Sequence, residues 1–415
     1  MRLFPKFPSF TFASGLLLAA LITGAPLGAQ TIVPSTPGAD AATAAVPPSS
    51  HGADVLGSET KVKTLAFLHW GPLGLRPQAN YSLMFETGLQ LAPGHPVSTY
   101  IQTTTAGVSL DLGDNWQASY VPSWVRYSHR GFTDSFDQNL ALAGHVAHDN
   151  WAGELTEQYT KVNSPLVDTG RQTGQQSTTT VGTLDWFLGR DVGLQLIGQQ
   201  KFTFVEKLAD TFDWSVAPQV TYQPWKRLTI ATGATLGYVM VYDAPDMMYE
   251  RPTGHVTWQL TSKTALDAAV GADHWKFLGG PGASLGGLYY QVGAQYAPFA
   301  ATVFSLSLQR ANSAGPFRAQ MSRTQGTSVA LDQRLLGHLH LNLGVDQQRT
   351  IYVADTPDAA QARGDKLMTY TAKLSLNVLR RGAISVVYRL SKNASSSHGF
   401  GFSIREIGIE LGVHY

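Results

Sequence analysis

The sequence predicts an all-β fold, a transmembrane antiparallel up-and-down β-barrel of about eighteen strands, with sixteen as the other count it allows. Three observations predict it. Apolar residues recur with a period of two rather than 3.6 through most of the chain beyond position 80. Segments of roughly ten residues are joined alternately by tight and by longer, polar connections, the asymmetry expected of a barrel that crosses a bilayer. The chain ends on an amphipathic strand, with Ile407, Ile409, Leu411, Val413 and Tyr415 on one face and Gly408, Glu410, Gly412 and His414 on the other.

At the other end, Arg2 and Lys6 precede a short apolar core (GLLLAALI, 15–22) and a cleavage region (GAPLGA, 24–29), the layout of a signal peptide over 1–29. That core is far shorter than the roughly 20 residues a spanning helix needs. No second long apolar run follows it, so helices do not carry the chain across a membrane. A closed barrel is the remaining way across, because it pairs every backbone N–H and C=O internally. Residues 30–60 are dominated by Pro, Ala, Ser and Gly and read as a disordered leader. Residues 61–80 form a more apolar lead-in segment, open to three readings: a short strand, a small inward-folded segment, or the start of the first barrel strand. The barrel proper is predicted over 81–415.

Tight connections fall at 113–115, 148–150, 189–191, 224–227, 261–263, 298–301, 336–338 and 380–382. Longer ones fall near 92–96, 130–137, 164–176, 206–211, 243–249, 278–286, 312–318, 355–366 and 394–399. Eight and nine connections make seventeen, and so eighteen strands.

Alternation assigns the faces. Val192, Leu194, Leu196, Phe202 and Phe204 face lipid, while Gln195, Gln199, Lys201 and Thr203 face the lumen. Leu374 and Leu376 oppose Lys373 and Ser375, Val386 and Tyr388 oppose Ser385 and Arg389, and Leu343 and Val345 oppose Asn342 and Asp346. Between Trp116 and Tyr127 the pattern breaks, and a bulge near Trp124 is needed if Arg126 is to point inward. The stretches 267–276 and 321–332 are also irregular. The predicted lumen is mixed in sign, with Arg126, Lys201, Lys373 and Arg389 against Glu86, Asp346, Glu406 and Glu410. Aromatic residues predict two interfacial belts. Tyr81, Trp116, Trp151, Trp225, Tyr296, Phe299 and Tyr415 lie beside the tight turns; Tyr127, Phe204, Tyr242, Trp275 and Tyr352 lie beside the loops.

Composition excludes several classes of chemistry. Only 14% of residues are charged, against about 25% in ordinary soluble domains. A net charge of +1 without a basic stripe leaves no footprint for nucleic acid. There is no cysteine, hence no thiolate metal site or cysteine nucleophile. The glycine-rich stretch 278–287 lacks the Lys-Ser/Thr ending of a phosphate cradle. His338, His340 and Asp346 supply too few ligands for a metal centre. No G-x-S-x-G elbow is present. The reading is of a protein without catalytic residues, cofactor or metal.

The stretches 71–87 (GPLGLRPQANYSLMFET), 103–128 (TTTAGVSLDLGDNWQASYVPSWVRYS) and 140–159 (LALAGHVAHDNWAGELTEQY), with the terminal aromatic strand, resemble bacterial outer-membrane proteins of the β-barrel porin family. Some members of that family accompany exopolysaccharide or exosortase systems. The likeness covers Gly71 to Tyr415, and the chain lacks the Asp-Asp-Asn that often follows the first strand. It implies the outer membrane of a Gram-negative bacterium, with the leader and tight turns in the periplasm and lipid as the surroundings. It also implies insertion by the barrel assembly machinery through the C-terminal strand, association as a homo-oligomer, and passive diffusion of small hydrophilic solutes. The alternative it implies is a structural or accessory barrel in exopolysaccharide secretion, without an open pore.

Overall fold

The computed structural model describes residues 68–167, 169–278, 284–315, 317–354, 363–378 and 381–414. The signal peptide, the leader, residues 61–67 and Tyr415 lie outside the described residues.

The strands, in chain order, are β1 (Leu68–Trp70), β2 (Leu73–Ala92), β3 (His95–Leu112), β4 (Trp116–Tyr127), β5 (Ser135–His148), β6 (Trp151–Leu166), β7 (Arg171–Phe187), β8 (Val192–Val205) and β9 (Thr211–Trp225). They continue as β10 (Leu228–Val241), β11 (Met247–Thr261), β12 (Thr264–Phe277), β13 (Ser284–Phe299), β14 (Thr302–Ala314), β15 (Gln320–Leu335), β16 (Leu339–Ala354), β17 (Gly364–Val378), β18 (Gly382–Ser395) and β19 (Phe402–His414). From β2 onward each strand pairs antiparallel with the next, and β19 returns to β2, from Arg405 opposite Thr87 to His414 opposite Gln78. The result is a closed ring of 18 strands. Closure leaves the ring without an edge strand.

The short strand β1 pairs with Leu73–Leu75 of β2 on the edge that β19 uses further up. The lead-in segment therefore divides: 68–70 form a short strand, and from Leu73 the chain is already barrel wall, eight residues before the predicted start at 81. Strand boundaries meet at all eight predicted tight connections, whereas the strands run on into the predicted loops. The predicted 164–176 loop shrinks to 167–170, and β2 and β3 are joined by Pro93 and Gly94 alone. A ladder needs backbone partners, not apolar side chains, so Thr-, Ser- and Gln-rich segments extend it past the apolar belt.

The strands are tilted. A row of cross-strand partners that starts at Thr87, near the loop end of β2, passes through Arg405, Leu390, Tyr370, Val345, Val329, Leu306, Ala294, Leu266 and Trp258 to reach Leu228, at the turn end of β10. Eighteen strands about 4.8 Å apart and tilted by about 40° enclose a wall roughly 18 Å in radius. Side chains rooted on such a wall do not meet across its middle.

Candidate functional site: the lumen

Two faces of opposite chemistry follow from the register. Outward, Leu194, Leu196, Val216, Val220, Leu374, Leu376, Val386, Ile407, Ile409 and Leu411 are all exposed. A water-soluble protein does not carry so continuous an exposed apolar belt. Inward, the wall presents Thr156, Gln158 and Thr160 on β6, Ser177 and Thr179 on β7, and Gln195, Gln199 and Lys201 on β8. Its fold is that of a transmembrane β-barrel.

The lumenal charges concentrate where the barrel closes. Arg389, Glu406 and Glu86 occupy one cross-strand row over β18, β19 and β2. Arg389 Nη1 lies 2.7 Å from Glu406 Oε2. Lys373, on β17, reaches across β18 to Glu410 of β19, with Nζ 2.6 Å from Oε2. Nearer the turn end, Arg76 is paired with Asp111. Placing cations against carboxylates on neighbouring strands removes the like-charge repulsion that three carboxylates at one seam would generate. Asp346 stands apart, opposite Ser328 and Thr369, and Gln195 donates to Asp185 at 2.8 Å.

The loop end of the lumen is narrowed by hairpins that leave the ring and lean inward. Tyr290 and Arg310 are the last partners of β13 and β14, and beyond them the β14–β15 tip departs from the wall. Asn312, Met321 and Arg323 have the outward parity of Val329, yet they meet the inner face of β12 and β13. Met321, 1% exposed, is buried in a cluster with Tyr249, Trp275 and Leu285. The Asn312 amide donates to Asp273 Oδ2 at 2.8 Å, and Arg323 Nη2 donates to the Gly286 carbonyl at 2.6 Å. These bonds replace ladder bonds that the departing hairpin leaves unmade. At the tip, Arg318 is paired with Asp243 of the β10–β11 loop at 2.6 Å.

A second closure joins two hairpins that are not neighbours in the wall. The register of β2 on β3 shifts at Gly88, whose φ is +84° and whose missing Cβ would sit 2.0 Å from the Ser403 carbonyl. Beyond this bend, Pro93 packs against Gly170, between β6 and β7, and against Gly399, between β18 and β19. Thr133 and Gln172 exchange two hydrogen bonds of 2.8 Å, tying the β4–β5 loop to the β6–β7 hairpin.

Two buried arginines stiffen this region. Arg251 Nε is 3.2 Å from Asp273, and its guanidinium lies 4.4 Å from the centre of the Tyr289 ring. Arg363 lies 4.8 Å from the Tyr352 ring and 4.2 Å from the Phe400 ring, with Nε 2.9 Å from Asp365. Trp275 stacks on Tyr249 at 4.2 Å and donates its indole N–H to Asp273 at 2.9 Å.

The structure departs from several sequence expectations. The pairing of β3 with β4 runs without a shift, so no bulge forms near Trp124. Val125 and Tyr127 consequently point inward, and Arg126 is exposed on the outer face beside Trp124, not in the lumen. Trp275, 2% exposed, and Tyr352, 5% exposed, are inside the barrel instead of in an aromatic belt. Each shares its parity with an inward polar neighbour, Asp273 and Thr350 respectively. Trp116, Trp151, Trp225 and Tyr296 do lie on the outer face at the turn end. Sequence reading did not single out Arg251, Asp273, Tyr289, Met321 or Arg363. The available signal was the alternation Asp273, Trp275, Phe277 inside a stretch that resisted an apolar-out assignment.

No family model matches the sequence, and no curated protein matches it. Among solved structures, the chain is similar to OccK2 (OpdF) of Pseudomonas aeruginosa in complex with glucuronate: 11% identity, TM-score 0.46, covering 82% of this chain and 98% of that one. OccAB3 of Acinetobacter baumannii gives 8% identity and a TM-score of 0.46, covering 82% and 99%. The FrpB iron transporter of Neisseria meningitidis gives 11% identity and a TM-score of 0.43. That match covers 77% of this chain, which spans 62% of FrpB. The likeness in each case is one of fold.

Proposed function

We propose that the protein is a porin-like channel of the Gram-negative outer membrane, through which small hydrophilic solutes pass by diffusion. The observation that carries this reading is a closed ring of eighteen strands whose inner face is lined by polar side chains, Thr, Ser and Gln among them. On this reading the tight turns face the periplasm and the longer connections the exterior. Arg76, Lys373 and Arg389 are each paired with a carboxylate, so the channel discriminates weakly by sign. The inward-leaning hairpins are its constriction.

The test is conductance of the refolded, signal-less protein in a planar bilayer under a salt gradient. Steady unitary currents with a reversal potential near zero are expected. A folded, heat-modifiable barrel that passes no current at any voltage would overturn the reading. The narrowing of the loop end favours a second reading, an accessory barrel of exopolysaccharide secretion without an open pore. That reading requires silence even when the β14–β15 tip is freed from the wall.

A further inference from the structure

The outer face carries a feature that a diffusion channel does not call for. Arg349 on β16, Lys366 on β17, Lys392 on β18 and Arg405 on β19 share the outward parity of Val345, Tyr370, Leu390 and Ile407, and all four are exposed. Arg349 and Lys366 are direct cross-strand partners. Lys392 is one diagonal step from Lys366, whose partner is Ala394, and Arg405 is one diagonal step from Lys392, whose partner is Ser403. Partner rows climb toward the loops from β16 to β19, and the two-residue drops at Lys392 and Arg405 offset that climb, so the four cations form a level band.

The height of the band identifies its surroundings. Arg349 is ten residues from Leu339, Lys392 ten from Gly382 and Arg405 nine from His414, each counted from the turn end of its strand. At about 3.3 Å per residue and a tilt of about 40°, ten residues rise roughly 25 Å, the height of the apolar band of such barrels. The cations therefore stand where hydrocarbon gives way to headgroups, directly above an apolar face made of Leu343, Leu374, Val386 and Ile409.

Among the described residues, nothing neutralises them: none of the four is in an ion pair, and the outward faces of β15 to β19 bear no Asp or Glu. Like charges directly opposite on a sheet destabilise it, so a row of this kind calls for an anion from outside. The opposite arc is built differently: at the same end β11 presents Met248 and Glu250 outward, with His274 beside Glu250 on β12.

We infer that Arg349, Lys366, Lys392 and Arg405 form a binding site for the phosphorylated headgroup of a lipid in the leaflet at the loop end. The two guanidinium groups and two ammonium groups give bidentate and point-charge contacts to phosphate, and the apolar wall below takes the acyl chains. The inference uses the membrane orientation of the proposed function but not an open lumen.

The test is native mass spectrometry of the detergent-purified, delipidated full-length protein, titrated separately with diphosphoryl lipid A, monophosphoryl lipid A and inorganic phosphate. Wild type is expected to bind diphosphoryl lipid A with one tight equivalent and the monophosphoryl form more weakly. Changing all four cations to Gln is expected to weaken binding by about tenfold or more, and the paired changes R349Q/K366Q and K392Q/R405Q to weaken it by intermediate amounts. Lys↔Arg exchange at the four positions should restore it. Because the pairs are read separately, a folding failure of the fourfold variant leaves the inference exposed to disproof. Unchanged affinity in both pairs would overturn it, as would an equal loss from K226Q/R227Q at the turn end. Inorganic phosphate displacing the lipid at equal concentration would point to a free-anion site and would also overturn it. Conductance should be the same in all these variants, so a silent barrel with intact lipid binding would refute the channel reading alone.

Discussion

The docking of the β14–β15 tip on the inner wall can be tested by asking which of its two attachments holds it. One is the ion pair between Arg318 and Asp243, whose side chains are 61% and 64% exposed. Exposed pairs of this kind contribute about 0.2–1 kcal/mol, so Arg318→Ala should shift the docked-to-free ratio of the hairpin by less than about sixfold. The other attachment is Met321, 1% exposed among Tyr249, Trp275 and Leu285. Truncating a buried Met to Ala costs about 2–5 kcal/mol. Part of that surface stays covered by the hairpin's own strands, so the lower range of about 2–3 kcal/mol applies to docking, a shift of roughly 30- to 150-fold. In single-channel records, Met321→Ala should raise the occupancy of a larger-conductance level far more than Arg318→Ala does. Heat-modifiable migration would confirm that both variants are folded. If Arg318→Ala had the larger effect, or Met321→Ala left the records unchanged, the claim that apolar docking narrows the mouth would be refuted.

Other consequences can be checked individually. Arg389→Leu leaves Glu406 and Glu86 in one row without their cation and should destabilise the barrel by about 3–5 kcal/mol in urea titrations, with Glu406→Gln added to it recovering part of the loss. Lys373→Gln frees Glu410 from its partner and should move the reversal potential toward cation selectivity, whereas Arg126→Gln, on the outer face, should leave it unmoved. Gly88→Ala forces a side chain to a φ of +84° and into the Ser403 carbonyl, so the β2–β3 tip should become the first site of proteolytic nicking while the wall stays intact.

What the sequence revealed and what it concealed divide along a physical line. Period-two alternation and turn chemistry are local, and they suffice for the tight turns and the strand order; in the register, Gln195, Lys201, Lys373, Arg389, Glu406 and Glu410 alternate with the exposed aliphatic residues of their strands. Alternation sets a side chain's face relative to its own strand, not relative to the barrel axis. Met321 keeps the outward parity of Val329 but packs inside because its hairpin has left the ring, and no local pattern reports such a departure. Arg126 failed for the opposite reason. An inward Arg126 requires a bulge, and the uninterrupted ladder has none and places the charge outside with Trp124. Proximity to a strand end suggests an interfacial belt for Trp275 and Tyr352, but their parity, shared with Asp273 and Thr350, opposes it.

The three-residue strand β1 has a consequence out of proportion to its length. It occupies the edge of β2 immediately below the stretch that β19 takes, with Leu68 opposite Leu75 and His414 opposite Gln78. Only Arg76 and Pro77 separate the two pairings. If the last strand slid three residues toward the turns, His414 would land on Leu75, where Leu68 already sits. A slip of one residue would turn Ile407, Ile409, Leu411 and Val413 inward. Residues 68–70 thus act as a doorstop for β19, and by fixing where β2 and β19 meet they set the stagger, and with it the girth, of the whole cylinder.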